Sequence, residues 1–186
     1  MPAFGDPEAR LLLVGLAPAA HGGNRTGRLF TGDQSGRFLF RALFALRLSN
    51  LPDSCHAEDG LCLKGLLISA ACRCAPPDNR PTPEEFGRCR GYLEREMDLV
   101  AGPRVVVALG ALAFEECVRA LGRAAAPRPR PRFAHGARVR IDPHTLYGSY
   151  HPSQQNTFTG KLTQRMLRTV LRRAAREAAG LEAATS

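Results

Sequence analysis

Hydrophobic and polar positions along the chain fall into short blocks with two different periods. The run "RLLLVGL" (10–16) is apolar without interruption and stops at glycine, which predicts a buried strand. "SGRFLFRALFALRL" (35–48) instead places its apolar residues at helical spacing, with Asp33 or Ser35 as the capping residue. "LKGLLISAA" (63–71) predicts a second strand, and "RCAPPDNRPTP" (73–83) a proline-rich loop. That loop leads into "TPEEFGRCRGYLEREMDLV", where Thr82 caps, Pro83 takes the first helical position and Glu85 completes a capping box. "RVVVALG" (104–110) is a third strand, followed by a helix to about Arg123. "APRPRPRF" (126–133) is incompatible with regular structure and predicts a stiff basic surface loop. "TLYGSYHPS" (145–153) holds a fourth strand, and "TGKLTQRMLRTVLRRAAREAA" an amphipathic final helix, with a tail over 176–186.

Alternation of this kind implies an α/β fold: a three-layer α/β/α sandwich around a central, mostly parallel four-stranded sheet. No repeat or second domain is visible, so residues 1–186 are expected to form one unit. In such sheets ligands bind beyond the carboxyl ends of the strands. The polar stretches 15–33, 73–80 and 150–157 each follow a strand, so they should converge on one edge of the sheet.

Composition narrows the class. With 44% hydrophobic residues and no apolar run approaching the roughly 20 needed for a span, no membrane segment is expected. "MPAFGDPEAR" lacks the pattern of a signal peptide, which makes the cytoplasm the expected address. The net charge is +9, and only Lys64 and Lys161 are lysines. Guanidinium forks match phosphate oxygens, which suits a polyanionic partner, although a GC-rich genome produces the same arginine bias. Of the cysteines, Cys55, Cys62 and Cys117 stand singly and read as structural or incidental. For the others, metal binding and simple burial compete.

The loop "GLAPAAHGGNRTGRLFTGD" (15–33) carries glycines at 15, 22, 23, 27 and 32, which let backbone N–H groups approach a ligand closely. Phe30 offers a flat apolar face for stacking on a base, Asp33 an acceptor for a water, and His21 an ordinary loop hydrogen-bonder. The spacing fits neither the dinucleotide nor the P-loop fingerprint. In "YHPSQQNTFTGKLT" (150–163), Pro152 fixes the turn that aims His151 above its strand. Ser153, Thr157 and Thr159 offer hydroxyls, and Lys161 a charge at the start of the last helix, a combination suited to a nucleic-acid backbone.

Taken together, "GLAPAAHGGNRTGRLFTGD" and "HPSQQNTFTG" strongly resemble the uracil-DNA glycosylase superfamily, in its family 5 branch of bacterial and archaeal iron–sulfur glycosylases. The resemblance runs from about Phe4 to Ala175. It implies a monofunctional glycosylase of base-excision repair, acting on DNA that carries uracil or other deaminated bases such as hypoxanthine. It further implies that the backbone of Gly15, Leu16 and Ala17 lines the base pocket and that Phe30 stacks on the extruded base. Asp33 would position the attacking water, Ala17–Pro18–Ala19 standing where other branches carry a polar residue. His151 would hydrogen-bond the base oxygen, and Gln154, Gln155 and Asn156 would enter the groove. No lysine stands in these motifs to form a Schiff base, so strand cleavage is not expected.

The same resemblance makes Cys74 and Cys89 ligands of a [4Fe–4S] cluster whose other ligands come from an N-terminal C-x-x-C that this chain lacks. A missing N-terminal segment or a lost cluster are the two expectations. Cys72 is expected to point to the opposite face of its strand from Cys74. Ala70 falls where related enzymes often place an asparagine that reads uracil, which implies relaxed base discrimination. The expected protein is a monomer. The rival reading is a catalytically impaired protein of the same fold that binds damaged DNA.

Overall fold

The computed structural model describes residues 1–99, 104–123 and 127–180. Ala126, Val100 and residues 181–186, which the sequence reading assigned to a loop, a helix end and a tail, lie outside these. Six strands form one sheet in the order β1 (Phe4–Gly5), β3 (Leu66–Ala70), β2 (Leu11–Gly15), β4 (Arg104–Leu109), β6 (His144–Ser149), β5 (Arg138–Ile141). Its middle is the expected parallel four: β3, β2, β4 and β6.

Residue parity along these strands builds the two faces. After the single-turn α1 (Gly23–Thr26), helices α2 (Gln34–Ala45) and α6 (Gln164–Ala178) cover Leu11, Leu13, Ile68, Val105 and Val107. Leu12, Val14, Val106 and Leu146 pack beneath α3 (Pro83–Leu99) and α4 (Ala111–Leu121). Each central strand is therefore covered on both sides, which is why these segments read as continuous apolar runs. The capping box holds: Thr82 Oγ1 accepts from Glu85 N at 3.2 Å, and Thr82 N donates to Glu85 Oε2 at 2.7 Å.

Two expectations need correction. The sheet has six strands rather than four, because antiparallel edges β1 (Phe4–Gly5) and β5 (Arg138–Ile141) flank the parallel core. β1 is two residues long and too short to leave a pattern. β5 alternates Arg138-Val139-Arg140-Ile141, the mark of a strand with one wet face. The final helix also differs at both ends: it starts later than the expected Thr159, and it runs through Arg176–Ala178, where the tail was expected to begin. A short α5 (Gln154–Phe158) ends near Gly160, at φ 73°, and α6 begins only after Thr163, whose hydroxyl accepts from Met166 N at 3.2 Å. A hydroxyl three residues before a free amide competes with helix continuation, and here the cap prevails. Lys161 consequently lies in the turn between the helices, not at a helix start.

One buried carboxylate ties α6 to the far edge of the sheet. Glu177 accepts from Arg138 (2.9 and 2.8 Å), Thr145 Oγ1 (2.7 Å) and Tyr147 OH (2.6 Å). Burial alone would raise its pKa, but these donors hold it down at about 2. A depressed carboxylate stabilises the fold above its ordinary range and loses that contribution as it is protonated. Unfolding in denaturant between pH 5 and pH 2 should show stability declining as pH falls from about 4.5 toward about 2. Glu177→Gln should be less stable at neutral pH and should lose that part of the slope.

Candidate active site

The four parallel strands end level with one another. Gly15 stands beside Ala70, and Leu109 beside Ser149. The chain continues pairing past the sheet, with Ala71 N donating to Gly15 O (2.9 Å), Cys72 N to Leu16 O (2.8 Å) and Gly110 N to Ser149 O (2.7 Å). The floor of the site is therefore rigid backbone. Gly15 and Ala70 are buried in it, and Leu16 and Ala17 are half-buried.

Phe30 comes down onto that floor. A Cβ on Gly15 would lie 2.9 Å from Cε2 and Cζ of its ring, so only glycine admits the ring there. Phe30 itself has φ 54°, a left-handed conformation rare for a bulky residue and associated with functional sites. Helix α2 starts against the same residue: a Cβ on Gly36 would lie 1.9 Å from the Phe30 carbonyl oxygen.

Facing Phe30 is His151, with ring centroids 6.1 Å apart and planes tilted by 33°. Sequence separation of more than a hundred residues is closed by the adjacency of β2, β4 and β6. Gly110, at φ 101°, passes beneath His151, and Asn156 Nδ2 donates to the His151 carbonyl at 2.9 Å. Burial lowers the His151 pKa to about 4, so the imidazole is neutral at physiological pH. Among the described residues neither ring nitrogen has a hydrogen-bond partner, which leaves one N–H free to donate.

Of the two expected capping residues it is Asp33, not Ser35, that sits at the amino end of α2, its Oδ1 accepting from Gly36 N at 2.7 Å. Its other oxygen lies against Gly22, where a Cβ would approach to 2.2 Å. The carboxylate is half-buried and keeps lone pairs beyond the one the cap uses.

The 153–161 loop divides its residues differently from the sequence reading. Ser153 caps α5, and Thr157 Oγ1 and Thr159 Oγ1 donate to the Gln154 and Gln155 carbonyls, so these hydroxyls are engaged within the loop. Asn156 holds the His151 backbone, while Gln154 and Gln155 are exposed. Lys161 Nζ lies 5.0 Å from the centroid of Tyr150, whose ring stacks on His135 at 5.0 Å. The sequence reading missed Phe158, which is 79% exposed. Its signal was available: an aromatic standing alone between threonines in a polar loop.

Cys72, Cys74 and Cys89 gather where β3 meets α3. Arg73 N donates to Cys89 Sγ at 3.3 Å, and burial together with the nearby Cys89 pushes the Cys72 thiol up to about 11. The expectation that Cys72 faces away fails: residues two apart on a strand share a face, and β3 in any case ends at Ala70, leaving the Cys72 thiol against Cys89. The two cysteines implied as cluster ligands, Cys74 and Cys89, do not complete a four-thiolate set. Among the described residues no group of three His, Cys, Asp or Glu is placed to hold a metal ion. The donors of this chain do not by themselves fit the cluster.

The edge of this α/β sandwich thus presents an aromatic face, an imidazole and a carboxylate, groups able to stack on a flat heterocycle, donate to it and hold a water. A family model described as the uracil DNA glycosylase superfamily matches residues 2–175. The chain belongs to that superfamily. It is 50% identical over 178 residues to the type-5 uracil-DNA glycosylase of Pyrobaculum aerophilum, covering 96% of this chain and 76% of the relative. The type-5 enzyme of Thermus thermophilus is 49% identical over 177 residues (95% and 79%), and that of Mycobacterium tuberculosis 48% over 184 (98% and 68%).

The desolvated imidazole gives a direct test. In NMR of the free protein, the His151 ring should titrate with a midpoint near 4. A midpoint near its ordinary 6.5 would mean that the ring is solvated.

Proposed function

We propose that this chain hydrolyses the N-glycosidic bond of uracil in DNA, and of other deaminated bases such as hypoxanthine, as a monofunctional glycosylase of base-excision repair. The observation that carries the reading is the pair of rings, Phe30 and neutral His151, facing each other 6.1 Å apart above Gly15.

The base must leave the duplex to reach this edge. Phe30 stacks on it, and the close backbone of Gly15, Leu16 and Ala17 lines its pocket. As the bond to the sugar breaks, negative charge grows on the base oxygen. The free N–H of His151 donates to that oxygen more strongly in the transition state than in the ground state. A neutral donor serves well because it need not give up its proton to stabilise the anion. On the sugar side an oxocarbenium-like centre develops, where Asp33 orients a water and offsets positive charge. Ala70 places no amide in the pocket, which supports acceptance of more than one deaminated base. Of a [4Fe–4S] cluster this chain would furnish two thiolates, Cys74 and Cys89.

Single-turnover excision on duplexes carrying U·G, U·A or hypoxanthine·T tests the reading. His151→Ala should lower the rate by about 10²–10³ with DNA affinity near normal. Asp33→Asn keeps a good helix cap and should still lose about 10²-fold or more in rate. Asp33→Ala should lose about 1 kcal/mol of stability as well. Tight binding of damaged duplex with no turnover by the wild type would favour a binding protein instead.

Phe158 is the apolar group of the 154–161 loop left free to enter the gap in the base stack. Phe158→Ala should slow excision more from U·A than from U·G, because a mismatched base is the cheaper one to extrude. An equal effect on both duplexes would remove Phe158 from that role.

A further inference from the structure

Arg28 lies in the glycine-rich loop of a basic protein that acts on DNA, where an arginine is readily taken for a phosphate contact. Its surroundings say otherwise. The side chain is 8% exposed. Nε donates to Thr31 Oγ1 (3.1 Å), Nη1 to the Ala57 carbonyl (3.0 Å), and Nη2 to Ser54 Oγ (2.7 Å) and both oxygens of Asp59 (2.8 and 2.7 Å). The guanidinium also lies 5.4 Å from the centroid of Phe4 on the edge strand β1. Every nitrogen of the group is engaged inside the protein.

What this cluster encloses is the turn that carries Phe30. Thr31, fully buried, bonds Ser54 Oγ at 2.7 Å, and Gly32 N donates to the Ser54 carbonyl at 2.9 Å. Asp59 in turn accepts from the amides of Cys55 (2.8 Å) and Leu61 (3.0 Å), which folds its own loop around the ion pair. Burial acts to raise the Asp59 pKa, but Arg28 and these amides hold it at about 2, so the pair stays ionised. The residues on both sides of Phe30 are thus fixed, while Phe30 itself adopts the unfavourable φ of 54° and keeps its ring over Gly15. A left-handed aromatic persists only where its neighbours determine the backbone.

We infer that Arg28, through its buried pair with Asp59, is a positioning residue for base stacking: it locks the turn that presents Phe30 to the extruded base. The inference rests on the glycosylase reading of the site. Lysine cannot replace Arg28, because a single ammonium cannot reach Thr31, Ala57, Ser54 and Asp59 from one position.

The test is a double-mutant cycle read by single-turnover excision at saturating enzyme, by duplex affinity and by thermal melting. Arg28→Lys should lower the saturating rate at least tenfold, with affinity for an undamaged duplex within about threefold of wild type. Phe30→Leu should be slow on its own, and in that background Arg28→Lys should cost little more, because both changes remove the same preorganised ring. Ser54→Ala removes the bridge to Thr31 while leaving the ion pair, and should give a loss of threefold or more in a folded protein if Arg28→Lys does not fold. Multiplicative losses in the cycle, a full rate for Arg28→Lys, or a full rate for Ser54→Ala where it stands in for an unfolded Arg28→Lys, would overturn the inference. So would a loss of affinity at unchanged rate, which would make Arg28 a phosphate contact. Wild-type protein that fails to excise uracil would instead remove the glycosylase reading.

Discussion

The close approach of Phe30 to Gly15 is the constraint on which the active edge depends. The ring occupies the space that a Cβ at residue 15 would claim, so the end of β2 and the first loop cannot be varied separately. The same exclusion recurs around that contact, at Gly36 against the Phe30 carbonyl and at Gly22 against the Asp33 carboxylate. Three glycines stand where a Cβ would collide with Phe30 or Asp33, and each contact fixes the position of one of these two candidate residues. Electrostatics then follow from packing. The close packing around half-buried His151 strips away solvent, which lowers its pKa to about 4 and leaves the ring neutral.

Polar groups in the interior are handled in clusters, each bridging elements distant in sequence. Glu177 joins α6 to β5 and β6, Arg28 joins the first loop to the 54–61 loop, and Glu96 joins α3 to Ser69 and Arg73 beside the thiols. An ion pair withdrawn from water must be supplied with further hydrogen bonds to be tolerated. The Arg28–Asp59 pair meets that requirement with hydroxyls and backbone groups alone. Such a cluster accepts few alternative arrangements, which suits a loop that must hold one strained residue. Part of the arginine-rich composition is therefore internal bracing, at Arg28, Arg73 and Arg138.

The parallel core, the capping box at Thr82 and the cap at Asp33 were legible because each depends on local pattern: uninterrupted apolar runs, or a hydroxyl or carboxylate a fixed number of residues before a free amide. The edge strands were less so. Two residues at Phe4–Gly5 carry no periodicity, and the alternation at Arg138–Ile141 lies in an arginine-rich stretch whose charges disguise it. The division of the last helical stretch turned on which of two starting points, Lys161 or Thr163, won the competition for capping. Propensity alone does not decide that competition.

By itself, then, the sequence determined the α/β class, the sheet edge on which the polar loops converge, and the residue types brought there, since hydrophobic period and loop placement are properties of the chain read in order. Only the tertiary structure decided what each polar side chain does. Asn156 and Ser153 serve their own loop, Arg28 faces inward, Cys72 turns toward Cys89, and Phe158 stands out in solvent. The reason is physical. A side chain's role follows from which neighbours remove it from water and which donors remain within about 3 Å, and those neighbours come from segments far apart in the chain.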